Sequence, residues 1–161
     1  MSRLREELAA QGITLPPQWV LPAGATTSAA LIVQRDTVIY VAGHLPTDSN
    51  GHTSRAMGKV GVEITPEQAS QLALRALLNV LSTISDFLPH ASLESLHWAR
   101  LDCLVSASSC FTDFTGVMNT ASELLTDAFG TNQGSHVRVA YGVDGLPLNA
   151  PVEVAAILHH H

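Results

Sequence analysis

The chain is 161 residues long and 46% hydrophobic but only 14% charged, with a formal net charge of −6. That length suits one domain with a real core, and a charge share below the usual value of about 25% implies that part of the outside faces protein rather than water. The seven arginines and the single lysine, Lys59, are scattered, so no basic stripe exists to neutralise phosphates and nucleic-acid binding is disfavoured, while no apolar run approaches the length of a membrane span.

"MSRLREELAAQGITLPP" opens the chain as a charged, helix-prone leader without the apolar stretch of a secretion signal. It predicts a short amphipathic helix over residues 1–12, after which "LPPQWVLPAG" forms an extended, Pro-rich lead-in. In "SAALIVQRDTVIYVAG" two β-rich runs meet at the polar "QRD", which predicts a hairpin. Both faces of its second run are apolar, with Val38, Tyr40 and Ala42 on one and Ile39 and Val41 on the other. Such a strand is central, or is covered by another subunit.

"HLPTDSNGHTSRAMGKVGVEI" is a loop rich in turn residues. Thr65 as N-cap, Pro66 at the first position and Gln68 closing a capping box predict a helix start. Its apolar stripe runs from Ala69 through Leu72, Ala76, Val80 and Ile84 to about Phe87. "SLHWARLDCLVSAS" reads as a strand with Leu101, Cys103 and Val105 on one face. A second helix opens near Asp113, carries Phe114, Val117, Met118, Ala121, Leu124, Leu125 and Ala128, and ends at Gly130 as C-cap. "NQGS" is then a linker, and "SHVRVAYGVDGLPLNAPVEV" supplies two final strands. The order ββ-α-β-α-ββ with right-handed crossovers places both helices on one face of a mixed sheet. The other face is left apolar and uncovered, so self-association is expected.

Cys103 and Cys110 have neither zinc-ribbon spacing nor a disulfide framework, and read as reduced thiols packed in the core of a cytoplasmic protein. His44, His52, His90, His97 and His136 have no metal-ligand spacing, and His44 and His136 read as strand-end polar residues. Lys59 sits in the Gly-flanked "GKVG" loop, which speaks against a Schiff base. The closing His159–His161 is consistent with a purification-tag remnant and is set aside.

Four stretches in order, "VIYVAGHLP", "ALRALLNVLSTI", "FTDFTGVMN" and "HVRVAYGVDGLPLNAPVEVAAI", resemble the RidA family, also called YjgF or L-PSP. They are similar to its "SGQ(L/I)P" strand end, its "AL-x-N(V/L)" helix, its "DF-x-x-(V/M)N" helix start, and its Arg-strand, "LP" turn and "VE(V/I)" strand. The resemblance covers residues 28–158, the expected domain, with residues 1–27 as the helix and lead-in before it. "GKVG" and "LPLNAPVEV" place it closer to a branch distinct from the best-known deaminases. The resemblance implies an α+β, chorismate-mutase-like fold of the Bacillus type, a homotrimeric barrel, and clefts between subunits that hydrolyse small 2-imino acids to 2-oxo acids and ammonia. It implies no cofactor or metal, since an imine carbon is already electrophilic.

By resemblance, Arg138 grips a substrate carboxylate, for which the planar guanidinium fork is suited. A guanidinium among valines costs several kcal/mol to desolvate unless an anion meets it, and the bland alternative is an ion pair with Glu153 or another protein carboxylate. Glu153 matches the glutamate that activates water, and low-dielectric walls would raise its pKa toward neutrality. The alternative is a plain salt bridge or a sheet-edge position. Asn119 matches a cleft asparagine, with a solvent-facing or capping side chain as the alternative. Gly43 matches a glycine whose backbone approaches the ligand, against a simple strand-end turn. The family's tyrosine, serine and cysteine positions fall at Ala29, Ala42 and Ala140, so the anchor and the acid stay while polar wall groups are missing. Two other readings stand beside imine hydrolysis: non-catalytic sensing of a small carboxylate, favoured by those missing groups, and the ribonuclease activity that the family name carries, which the negative charge opposes.

Overall fold

The computed structural model of the chain describes residues 1–20 and 26–161. Helix α1, Arg3–Ala10, is capped by Ser2, whose side chain accepts from the Arg5 N–H, and buries Leu4 and Leu8. The part of the expected Pro-rich lead-in from Leu21 to Gly24 lies outside the described residues. Strands β1, Ile32–Arg35, and β2, Val38–His44, pair antiparallel as the hairpin expected. The turn falls one residue later than "QRD": Arg35 still pairs with Val38, and Asp36 takes the left-handed conformation at φ 51°, which an aspartate tolerates better than most residues.

Helix α2, Pro66–Phe87, starts as the capping box dictates. The Gln68 N–H donates to Thr65 Oγ1 at 3.2 Å, and the Thr65 N–H donates to Gln68 Oε1 at 2.9 Å. Such a cap contributes about 1 kcal/mol. Strand β3, Leu96–Ser106, comes next, then helix α3, Phe114–Gly134, capped by Asp113. Gly130 does not end α3: it leaves helical geometry at φ 75° and ψ 169°, and a further turn runs to Gly134 across the kink. The "NQGS" stretch is therefore mostly helical, because glycine absorbs the positive φ without terminating the element.

Strand β4, Val137–Val143, a 3₁₀ turn at Pro147–Asn149, and strand β5, Val152–His160, complete the chain. The sheet order is β1-β2-β5-β3-β4, with only β3 and β4 parallel. The last histidines extend the sheet: the His160 N–H donates to the Thr37 carbonyl and the His161 N–H to the Ser95 carbonyl.

Both long helices pack on one face, against the inward residues Ile39, Val41, Leu101, Cys103, Val105, Val154, Ala156 and Leu158. Among the described residues the opposite face carries no helix. There Tyr40, Val137, Val139 and Tyr141 are 45%, 68%, 42% and 42% exposed. The core-packing expectation holds for Cys103 and fails for Cys110, which is exposed just beyond the end of β3.

Candidate active site

β4 is an edge strand, and alternation along it sends Arg138 and Ala140 toward α3 while Val137, Val139 and Tyr141 face away. Arg138 pairs in register with Leu101, a core residue of the helix-covered face. Its guanidinium meets only neutral acceptors among the described residues: Nη1 donates to Ser122 Oγ at 3.0 Å, and Nη2 donates to Asn119 Oδ1 at 3.0 Å and to the Thr115 carbonyl at 3.4 Å. The ion pair with Glu153 or another carboxylate, the bland alternative for Arg138, is not found there. Asn119 is exposed, yet it is bonded to Arg138 rather than free in solvent or capping a helix.

The arginine is aimed by a chain of hydrogen bonds. A guanidinium only donates, so Ser122 Oγ accepts from it, and the Ser122 hydroxyl in turn donates to His136 Nε2 at 2.9 Å. The other ring nitrogen, Nδ1, donates to the Gly134 carbonyl at 2.7 Å. Ser122 was not legible as a site residue in sequence; its signal was the three-residue spacing from Asn119, which places both on one helix face. His136 is thus more than a strand-end polar residue. Cys103 lies within reach of the Arg138 charge, but burial outweighs that charge and pushes the thiol up to about 12, so it is no nucleophile.

Glu153 belongs to the other face. It pairs with Leu104, whose partner on β4 is Tyr141. It lines a cavity of about 300 Å³ with Gly43, Ala42, Ala29 and Trp19. Burial raises its pKa above the ordinary carboxylate value. Gly43 lies outside the left-handed region, so its glycine is not a turn requirement. A Cβ there would lie 1.8 Å from Glu153 Oε1. Ala29 and Ala42, the positions where the resemblance expects a tyrosine and a serine, therefore do border the glutamate.

Arg138 with Asn119, and Glu153 with Gly43, are consequently two separate groups on opposite faces of one sheet. No single chain brings them together. His44 belongs to neither. It is fully buried, with Nδ1 donating to the Ala42 carbonyl and Nε2 facing Thr83 Oγ1, both at 2.7 Å, and burial lowers its pKa to about 4. Among the described residues no group of three His, Cys, Asp or Glu side chains could hold a metal ion, and no helix is long and apolar enough to cross a membrane.

The profile of the family described as Endoribonuclease L-PSP matches residues 22–160. Protein TCP17 of Trypanosoma cruzi is 31% identical over 157 residues, 97% of this chain and 93% of that protein. Among solved structures, Atu1372 of Agrobacterium tumefaciens, described as of unknown function, superposes with a TM-score of 0.82 at 26% identity, over 98% of this chain and 92% of that one. E. coli TdcF, solved with bound serine, matches at a TM-score of 0.58 and 14% identity, over 87% and 94% of the two chains.

Proposed function

The chain belongs to the Endoribonuclease L-PSP family, and from its geometry we propose that it hydrolyses small reactive 2-imino acids to 2-oxo acids and ammonia, in clefts shared between copies of a homotrimer. The observation that carries this reading is the separation of Arg138 from Glu153 across the sheet. Each half is prepared for a ligand, and each lacks what the other has. Stacking the bare, Tyr- and Val-rich faces of three copies around an axis would remove that apolar surface from water. It would also set the Arg138 edge of one copy against the Glu153 cavity of the next.

In such a cleft Arg138 holds the substrate carboxylate with the guanidinium donors left over from Ser122 and Asn119. Glu153 takes a proton from a water as its oxygen bonds to the imine carbon. That proton passes to the imine nitrogen, giving a carbinolamine. Glu153 then moves the hydroxyl proton to the amine, the C–N bond breaks with its electron pair going to nitrogen, and ammonia leaves as the carbon becomes a ketone. A carboxyl with a raised pKa suits both proton transfers near neutrality.

Non-catalytic sensing of a carboxylate is the second reading, favoured by the alanine wall at Ala29, Ala42 and Ala140. The ribonuclease activity in the family's name is disfavoured by the net charge of −6. Ammonia release from an imino acid made in situ by an amino-acid oxidase tests the choice. Turnover that Glu153→Gln lowers by roughly 10²–10⁴ supports the hydrolase. Saturable binding without ammonia release supports the sensor, and RNA cleavage that survives purification supports the ribonuclease.

A further inference from the structure

We infer that the Glu153 cavity takes ligands with a bulky apolar side chain, branched or aromatic, and that Trp19 is the residue that bounds it. The inference rests on the reading that Glu153 faces the reacting end of a small acid. It goes beyond that reading by naming which acids fit.

The cavity of about 300 Å³ contains one charged group among its described lining residues, Glu153. Thr26 and Thr27 add hydroxyls, and the rest of the lining, including Ala29, Leu31, Ala42 and Leu45, is apolar. An apolar cavity of roughly 150 Å³ already accepts benzene. A site for a methyl-bearing imino acid needs far less room, and the unfilled part would leave apolar wall against poorly bonded water. Short side chains at Ala29 and Ala42 make the space. Each methylene of a ligand that fills it removes apolar area from water on both partners.

Trp19 is built in as a fixed wall. It precedes the family-matched region, which starts at residue 22, yet it is buried at 4% exposure and lines this cavity. Its ring lies 4.5 Å from the His44 ring at a 44° tilt. His44 is itself held at both nitrogens, by Thr83 on α2 and by the Ala42 carbonyl on β2. The indole therefore packs on a ring that is itself fixed to the sheet and to α2, and this backing opposes its swinging aside for a ligand that is too long. Nothing in the composition of "LPPQWVLPAG" distinguishes this wall from ordinary packing; only the fold places it beside Glu153.

The test is a calorimetric titration of the intact protein with three 2-oxo acids, pyruvate, 4-methyl-2-oxopentanoate and phenylpyruvate, beside turnover of the matching imino acids generated in situ. The expected result is that the branched and aromatic acids bind roughly ten- to a hundredfold more tightly than pyruvate. Ala29→Leu, at an exposed position that should fold, is expected to shrink that ratio, and Trp19→Phe to shift it toward longer side chains. Equal affinity for all three acids, a preference for pyruvate, or no binding of any of them overturns the inference. Turnover confined to the smallest imino acid with pyruvate bound best would leave the hydrolase reading standing and remove this one. The size preference without ammonia release from any imino acid would do the reverse.

Discussion

Gly43 stands where any side chain would collide with Glu153: a Cβ on it would lie 1.8 Å from Oε1 and 2.7 Å from the carboxyl carbon. The obstructing atoms are the free end of a flexible side chain, not backbone. Gly43→Ala should therefore fold, with the carboxylate pushed aside. We expect a melting temperature within a few degrees of the parent and kcat lowered about a hundredfold, the usual effect of misplacing a catalytic group by an ångström. Thermal melts and steady-state kinetics on one preparation check this, and retained activity would show that the carboxylate position is not critical.

Arg138 should not be replaceable by lysine. Its fork donates to Ser122, Asn119 and the Thr115 carbonyl at once while leaving two of its five donors for an anion, whereas a lysine ammonium has three donors in all, the number those protein acceptors already take. Arg138→Ala is expected to weaken carboxylate binding about a hundredfold, and Arg138→Lys at least about tenfold, both as a rise in KM. Ser122→Ala, which cuts the link from Arg138 to His136, should raise KM several-fold with little change in kcat. Affinity unchanged in all three would end the anchor role.

The exposed stripe Val137, Val139 and Tyr141 on β4 should be an interface. Val139→Asp places a carboxylate in the middle of that apolar stripe, where burial of an unpaired charge costs several kcal/mol. Sedimentation equilibrium is expected to give a trimer for the parent and a monomer for the variant, with turnover lost alongside. A parent that sediments as a monomer would contradict the shared cleft.

His44 links stability to pH. Its folded pKa of about 4 lies below the ordinary 6.5 because burial penalises the charged ring. Between those values the unfolded chain binds more protons than the folded one, so stability falls as pH drops from 6.5 toward 4. The His44 share of that fall is about 3 kcal/mol. In His44→Gln, urea denaturation should show a shallower decline across that window, with the difference from the parent largest at neutral pH. Parallel pH profiles would mean that His44 is not what titrates.

Most of the fold was legible because the signals were local. The Thr65–Pro66–Gln68 box, the apolar stripe of α2 and the alternation in β3 each specify an element without help from the rest of the chain. Gly130 misled because one glycine can end a helix or merely kink it, and the packing of residues 131–134 decides between the two. The residues proposed for the site, Arg138, Asn119, Gly43 and Glu153, can be named one by one from the sequence, but their geometry cannot. Which face a strand residue takes depends on where its strand sits in the sheet, and nothing local sets Arg138 and Glu153 on opposite faces. Trp19 and Ser122 escaped for the same reason: their roles come from the neighbours that the fold lays beside them.

The claim that the site needs two copies is tested most directly by complementation. Arg138→Ala and Glu153→Gln chains, each with turnover lowered about a hundredfold or more at substrate concentrations below KM, are co-expressed in equal amounts and their imino-acid turnover is measured. In a cyclic trimer each mixed assembly contains one intact pair, so activity should return to about a quarter of the parent value. If the mixture stays as inactive as either variant while forming mixed trimers, the two residues do not act together across subunits.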